Sequence, residues 1–190
     1  MHCRAIWSWV CSLCCFLASG FSVAATPDVE SAFRDACLAS TIAERHLPVW
    51  ASAHATELSL EALPHAVTDQ AIRAWRVNGT IQPVYVLLSK QWECIVWAKV
   101  EDPAPYVQRF RRWIQAEDRA NKDPTTKLTL FKDGEIVPGH LAALCYVLEF
   151  GVDPIGLMWC ARVTGDRGAL YLSLVSGRIR VGPRPASSPR

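Results

Sequence analysis

The chain has 190 residues and a formal net charge of +2, from 20 Lys and Arg against 18 Asp and Glu. A nucleic-acid binder usually carries a strong basic patch on a recognisable module, and the body of this sequence has neither. Setting aside the first 25 of the 190 residues leaves 165, which suffices for one hydrophobic core and favours a single domain.

The first 25 residues have the order of a secretory signal peptide. Arg4 supplies a positive charge, an uncharged apolar stretch runs over 5–17, and small residues follow as far as Ala25. We therefore predict a cleavable signal over 1–25, with cleavage after Ala24 or Ala25, and a periplasmic location for the mature protein.

Two membrane-bound alternatives have weaker support in this segment. An uncleaved anchor needs about 20 predominantly apolar residues, whereas serines and Gly20 interrupt the run. A lipoprotein signal would place a cysteine after Gly20, and the residue there is Phe21. We expect a product with no stable membrane span once the signal is removed.

The mature chain is predicted to consist of one domain over 26–176 and a disordered basic tail over 177–190. The tail contains Pro183, Pro185 and Pro189 and no acidic residue, a composition typical of disorder. Because four arginines lie in this tail, the predicted domain itself is slightly acidic.

The predicted domain retains four of the eight cysteines, and an even number in an exported chain predicts disulfide bonds. Four cysteines allow three connectivities. Two predicted strands, over 141–150 and 157–163, fold about the middle of the intervening turn and place Cys145 opposite Cys160. The same register brings the apolar residues of both strands to one face, and a slip by one residue would separate them.

The two remaining cysteines, Cys37 and Cys94, then pair with each other. Cys37 lies in a helical pattern with Val29 and Phe33, and Cys94 lies in the β-rich run over 92–100. A bond between them would attach the first helix to the sheet. We predict two disulfides, Cys37–Cys94 and Cys145–Cys160; the alternative is that some of these cysteines are free and merely buried.

Helical patterns occupy the first part of the predicted domain, and strands follow. One helix is predicted to start at Thr26-Pro27 and to reach Glu44 or Arg45, and a second helical stretch over 48–72 is interrupted at Pro64. Strands are predicted over 73–77, 84–88 and 92–100, with a reversal at Asn78-Gly79.

Asp102-Pro103 opens the clearest helix of the chain. Its apolar stripe, typical of core packing, consists of Tyr106, Val107, Phe110, Trp113 and Ile114. Its polar face contains Arg109, Arg111 and Arg112. Later strands are predicted over 127–132, 141–150, 157–163 and 169–175, with turn residues at Asp133-Gly134 and Gly165-Asp166.

The order of these elements predicts an α+β fold. Short connections favour antiparallel pairing. We expect a mostly antiparallel sheet of about six to seven strands, with the N-terminal helices and one amphipathic helix packed on one face. No internal repeat is evident in the sequence.

No stretch carries a specific catalytic, cofactor-binding or metal-binding signature, and we assign no residue to these roles. The segment over 174–177 lacks the first glycine of a Gly-x-Ser-x-Gly elbow. A cysteine nucleophile partnered by His140 would require Cys94 or Cys160 as a free thiol. The histidines of the predicted domain are not spaced as zinc ligands; they are His46, His54, His65 and His140.

Several short motifs follow one another over 33–114. They are Phe33-x-x-x-Cys37-Leu38, Ala74-Trp75, Val86-Leu87-Leu88, Glu93-Cys94-Ile95-Val96 and Phe110 on a predicted helix. In this order the chain resembles a family of small proteobacterial periplasmic proteins and lipoproteins of unknown function. The resemblance implies a periplasmic setting and pairing of Cys37 with Cys94, and it implies no activity and no catalytic residues. Phe21 distinguishes this chain from the family's lipidated members.

These observations favour a non-catalytic periplasmic protein that binds another protein of the cell envelope. Its role would be that of an envelope accessory factor or of an inhibitor or immunity-type partner, and no nucleic-acid partner is expected. Two alternatives stay open at this point: an envelope enzyme that uses a Cys/His pair, and a metal or small-ligand binder.

Overall fold

The computed structural model describes residues 28–38, 43–63, 71–134, 142–151 and 154–181. The predicted signal peptide over 1–25 and residues 182–190 of the predicted tail lie outside these ranges. Within them, none of the helices combines the length and the apolar character that crossing a membrane requires.

One antiparallel sheet of eight strands forms the centre of the fold. The strands are β1 (Ala55–Leu58), β2 (Ala71–Val77), β3 (Val84–Ser89), β4 (Cys94–Val100), β5 (Thr126–Asp133), β6 (Ala142–Phe150), β7 (Ile155–Asp166) and β8 (Ala169–Arg180). They lie in the order β1-β2-β3-β4-β8-β7-β6-β5. Two sequential four-stranded meanders, β1 to β4 and β5 to β8, therefore meet where β4 pairs with β8.

The described ranges contain three α-helices that accompany the sheet. They are α1 (Val29–Phe33), α2 (Ala43–His54) and α3 (Ala104–Ala120), which connects the two meanders. A π-helical turn, Arg34–Leu38, continues α1, and a 3-10 turn, Leu60–Ala62, follows β1. The first helix starts in a capping box, in which the Asp28 carboxylate accepts the Ser31 N–H at 2.8 Å and Ser31 Oγ accepts the Asp28 N–H at 2.9 Å.

The helices pack on one face of the sheet, as the sequence predicts. Because side chains alternate along a strand, β4 contributes Val96 and Ala98 to this layer. Leu47 of α2, Ile114 of α3 and Leu172 of β8 are fully buried in it. Burial of a side chain of this size stabilises the fold by about 1.5–3 kcal/mol.

The opposite face of the sheet carries a second apolar cluster. Leu87, Ile95, Trp97 and Val175 are buried there, together with Leu63 after the 3-10 turn. Strands β3 and β4 are thus buried on both faces, which explains their nearly continuous apolar sequence.

Both expected disulfides are present. Cys37–Cys94 joins the π-helical turn to the first residue of β4, across 57 residues. Cys145–Cys160 joins directly opposed residues of β6 and β7, and these strands pair in the register derived above.

The sheet has eight strands rather than six to seven, because β1 lies in the stretch predicted to be helical over 48–72. Helix α2 ends at His54, and Ala55–Leu58 pairs with β2 at the edge of the sheet. Four residues are too few to show the alternation that distinguishes a strand. Strand β2 also begins at Ala71, within the same stretch.

The first predicted helix begins later than expected. It is capped by Asp28 rather than Thr26; its π-helical turn is described as far as Leu38, and α2 begins at Ala43. Residues 39–42 lie outside the described ranges.

Two boundaries in the last hairpin differ from the prediction. Its turn residues are Arg167 and Gly168, with φ of +47° and +78°, whereas Gly165-Asp166 lie within β7. Positive φ at both central residues matches a two-residue hairpin turn. In addition, Gly177–Arg180 continue β8 opposite Ile155–Met158, so these residues belong to the sheet and not to the tail predicted over 177–190.

Candidate binding site between α1 and α3

An aromatic cluster joins α1, α3 and β7. The ring centroid of Trp113 lies 6.3 Å from that of Phe33 in α1, 5.7 Å from Phe110 and 5.6 Å from Trp159 in β7. The Trp113 indole N–H donates to Glu117 Oε1 at 3.0 Å, one helical turn away. Trp113 is therefore held from several sides while part of its ring stays accessible to solvent.

Three arginines surround the accessible side of this cluster. Arg34, Arg109 and Arg112 line, with Glu30 and Trp113, a cavity of about 310 Å³ that we call the arginine cleft. The Arg34 guanidinium carbon lies 5.7 Å from the centroid of the Trp113 ring, within the range of a cation–π contact.

Among the described residues that line the cleft, one carboxylate, Glu30, balances these charges. Arg109 Nε donates to Glu30 Oε1, and this hydrogen bond raises the pKa of Arg109 above its ordinary value. Among the described residues, neither Arg34 nor Arg112 forms an ion pair. Within the described ranges, these two guanidinium groups have no carboxylate partner and can bind an external anion.

The sequence of α3 determines which side chains face the cleft. The helix has Pro103 rather than Asp102 as its N-cap, and the Asp102 carboxylate accepts the Ala104 N–H at 2.9 Å just before it. Burial of Val107, Phe110 and Ile114 then orients the helix. Arg109 and Arg112, three residues apart, share one exposed side of it.

The other wall of the cleft depends on α1, which has only five residues. Isolated helices of this length are unstable in water. Phe33 is buried against Phe110 and Trp113, and Cys37 is bonded to β4 just beyond the helix. These contacts hold Glu30 and Arg34 opposite α3.

The last turn of α3 contains two carboxylates, Glu117 and Asp118, and one arginine, Arg119. Glu117, Asp118 and Asn121 line a second cavity of about 280 Å³ against Trp159, on the far side of the Trp113–Trp159 contact. The helix dipole disfavours carboxylates at a C-terminus. The carboxylates of Glu117 and Asp118 are therefore unfavourable with respect to this dipole, whereas Arg119 in the same turn is favourable.

Arginine is well suited to bind a carboxylate, because its planar guanidinium donates two parallel hydrogen bonds. Arg and Trp are also enriched among the residues that dominate binding energy at protein interfaces. The arginine cleft can therefore bind an acidic group beside an apolar one.

The two cysteines that the Cys/His hypothesis requires as free thiols are not free. Cys94 and Cys160 are both disulfide-bonded, so neither is a thiolate nucleophile while these bonds are intact. His140 lies outside the described residues. Ser176 of the 174–177 segment lies within β8, opposite Cys94 and Trp159, and not on a strand-to-helix turn.

The predicted histidines do not come together in the part of the chain that the structure describes. His54 stacks on Trp50 at 5.4 Å, and His46 Nε2 lies 3.4 Å from the Asp35 carbonyl oxygen. No group of three potential metal ligands occurs among the described residues. His65 lies outside them, as does His140.

Local sequence patterns do not reveal the arginine cleft. Arg109 and Arg112 stood out only as members of a polar helix face, and Arg34 is separated from them by 75 residues or more. The available signal was the sequence Arg109-Phe-Arg-Arg-Trp113, in which basic and aromatic residues alternate between the two sides of a helix.

No family model matches the chain, and neither a curated protein nor a solved structure shows significant similarity to it.

Proposed function

We propose that this protein is an exported, non-catalytic protein that binds a partner protein of the cell envelope through the arginine cleft. The partner presents an acidic segment with an adjacent apolar side chain. The observation that carries this proposal is the position of two guanidinium groups, Arg34 and Arg112, which have no ion-pair partner in the described part of the chain, beside the indole of Trp113.

Charge complementarity selects an acidic partner. The cleft contains three arginines and one glutamate, so it carries an excess of two positive charges. An apolar side chain of the partner would pack on Trp113, and the surrounding guanidinium groups would pair with its carboxylates. The accessory and inhibitor or immunity-type roles both require contact with a partner protein, which this cleft would provide.

Export rests on two arguments from the chain. The order of residues over 1–25 is that of a signal peptide. The two disulfides are consistent with an oxidising compartment, where such bonds persist. A periplasmic location satisfies both, and it agrees with the family resemblance over 33–114.

Photo-crosslinking in cells that produce the full chain tests the proposal. A photoreactive residue replaces Arg112, and a control carries it at the exposed Arg45 of α2. We expect a discrete protein adduct from position 112 and none from position 45. Identical adducts from both positions, or none from either, would contradict the proposal.

The captured protein is then purified and titrated with the mature chain. We expect the double variant R34E/R112E to weaken binding at least tenfold, which is about 1.4 kcal/mol. The matched charge reversal R45E should leave Kd within about twofold, and affinity should fall with ionic strength because the contact is between opposite charges. An unchanged Kd for R34E/R112E would show that the cleft is not the interface.

A further inference from the structure

A cavity on the opposite face of the sheet has different chemistry from the arginine cleft. Its volume is about 390 Å³, and it lies beside β3, β4 and β8. Side chains that line it are Gln82, Tyr85, Trp97, Lys99, Glu101 and Tyr171. None of them belongs to the proposed protein interface.

Three aromatic rings form the floor of this cavity. Tyr171 stacks on Trp97 with centroids 4.5 Å apart and planes at 13°, and Tyr85 lies 5.5 Å from Trp97 at 50°. Trp97 is only 2% exposed, whereas both tyrosines are partly accessible. The pairing of Tyr85 with Trp97, and of Lys99 with Tyr171, fixes the rings on neighbouring strands.

Two opposite charges stand at the rim. Lys99 and Glu101 are both exposed, and neither forms an ion pair within the described ranges. Lys99 lies in β4 and Glu101 directly follows the last residue of that strand, and both line the cavity. The rim can therefore bind an anionic and a cationic group of one small molecule at the same time.

We propose that this cavity binds a small zwitterion that contains a ring, the chemistry of a free aromatic amino acid. The ring packs against Tyr85 and Tyr171, the carboxylate pairs with Lys99, and the ammonium group pairs with Glu101. The volume lies within the range of about 300–1,000 Å³ typical of small-molecule sites. The inference is independent of the protein-binding function.

The experiment uses the mature chain and L-phenylalanine, with the Trp97 indole N–H followed by NMR. Three matched probes each lack one feature: phenethylamine lacks the carboxylate, 3-phenylpropionate lacks the amine, and L-alanine lacks the ring. We expect a saturable shift of the Trp97 resonance with L-phenylalanine and at least a tenfold weaker affinity for every truncated probe.

Two variants assign the charged contacts. K99M should weaken L-phenylalanine binding at least tenfold and leave phenethylamine unaffected, and E101Q should do the same while leaving 3-phenylpropionate unaffected. K90M, in the exposed β3–β4 turn, is the matched control and should bind as the wild type does.

R34E/R112E should also bind L-phenylalanine normally, which separates this result from the test of the arginine cleft. No saturable shift up to about 10 mM, equal binding of all probes, or unchanged binding by K99M and E101Q would overturn the inference, since a millimolar Kd is already weak.

Discussion

The α-carbons of Cys37 and Cys94 lie 5.4 Å apart, and their bond attaches the turn after α1 to the first residue of β4. Helix α1 supplies Glu30 to the arginine cleft, and the π-helical turn that continues it supplies Arg34. A helix of five residues cannot hold this position by itself. The bond thus links the stability of the fold to the geometry of the proposed interface.

Removing the two disulfides in turn should have unequal effects. In the chain-entropy model, loss of the 57-residue link in C37A/C94A costs about 4 kcal/mol, and loss of the 15-residue link in C145A/C160A costs about 3 kcal/mol. Denaturant unfolding measures both. Only C37A/C94A should also weaken partner binding, because only that bond positions α1; equal loss of binding in both variants would argue against this role.

Phe33 is predicted to be the main packing residue between α1 and α3. It is 2% exposed and contacts the rings of Phe110 and Trp113. F33A should lower the free energy of unfolding by about 3–5 kcal/mol. The control F131A removes a ring that is 62% exposed on the edge strand β5 and should change stability by less than about 0.5 kcal/mol. Similar effects of the two changes would contradict the assignment.

Gly156 is predicted to be required for the close packing of β7. A β-carbon at this position would lie 2.8 Å from the Leu148 carbonyl oxygen and 2.9 Å from Val181 Cγ2. Because the carbonyl belongs to the backbone of β6, it cannot move away cheaply, and G156A should cost about 1–3 kcal/mol. G134A is the control, because its β-carbon would make only ordinary contacts at 3.7 Å. Its free energy of unfolding should equal that of the wild type.

Asp123, just before β5, should make the stability of the fold depend on pH in the acidic range. The Thr125 hydroxyl and N–H donate to its carboxylate at 2.7 and 2.8 Å, and the Thr126 hydroxyl at 2.9 Å. These hydrogen bonds hold the pKa of Asp123 below its ordinary value of 3.8. A lowered pKa stabilises the folded state above the ordinary value, and this contribution is lost as pH falls through the folded-state pKa.

We therefore expect D123N to be less stable than the wild type near pH 7, with a difference that shrinks as the pH is lowered below about 4. Urea unfolding at several pH values measures it. D118N is the comparison, since the Asp118 carboxylate forms no hydrogen bond in the described part of the chain. A D123N difference that stays constant down to about pH 2 would contradict the prediction.

The sequence predicted strand register best where the alternation of apolar residues and the positions of cysteines agree. The register of β6 and β7 follows from the alternation of apolar residues together with the position of Cys145 opposite Cys160, and the structure has that register. The reversal at Asn78-Gly79 is similarly clear, since Gly79 has a φ of +74°.

Prediction failed where local pattern alone was available. Strand β1 has four residues whose pairing with β2 comes from contact with distant residues, so its own sequence carries no strand signal. The turn at Arg167-Gly168 was missed because arginine seldom adopts positive φ, although the glycine after it allows the tight hairpin. The arginine cleft depends on tertiary packing of α1 against α3, which no local pattern encodes.

Each disulfide joins two cysteines that have no other cysteine between them in the sequence, Cys37 with Cys94 and Cys145 with Cys160. A polypeptide that crosses a membrane from its N-terminus exposes Cys37 and Cys94 before the second pair emerges. Oxidation in the order of emergence then gives the native connectivity directly, with no need to reshuffle mispaired bonds. The two-meander topology thus suits the export proposed for this chain, because each meander of the sheet can form as its own segment emerges.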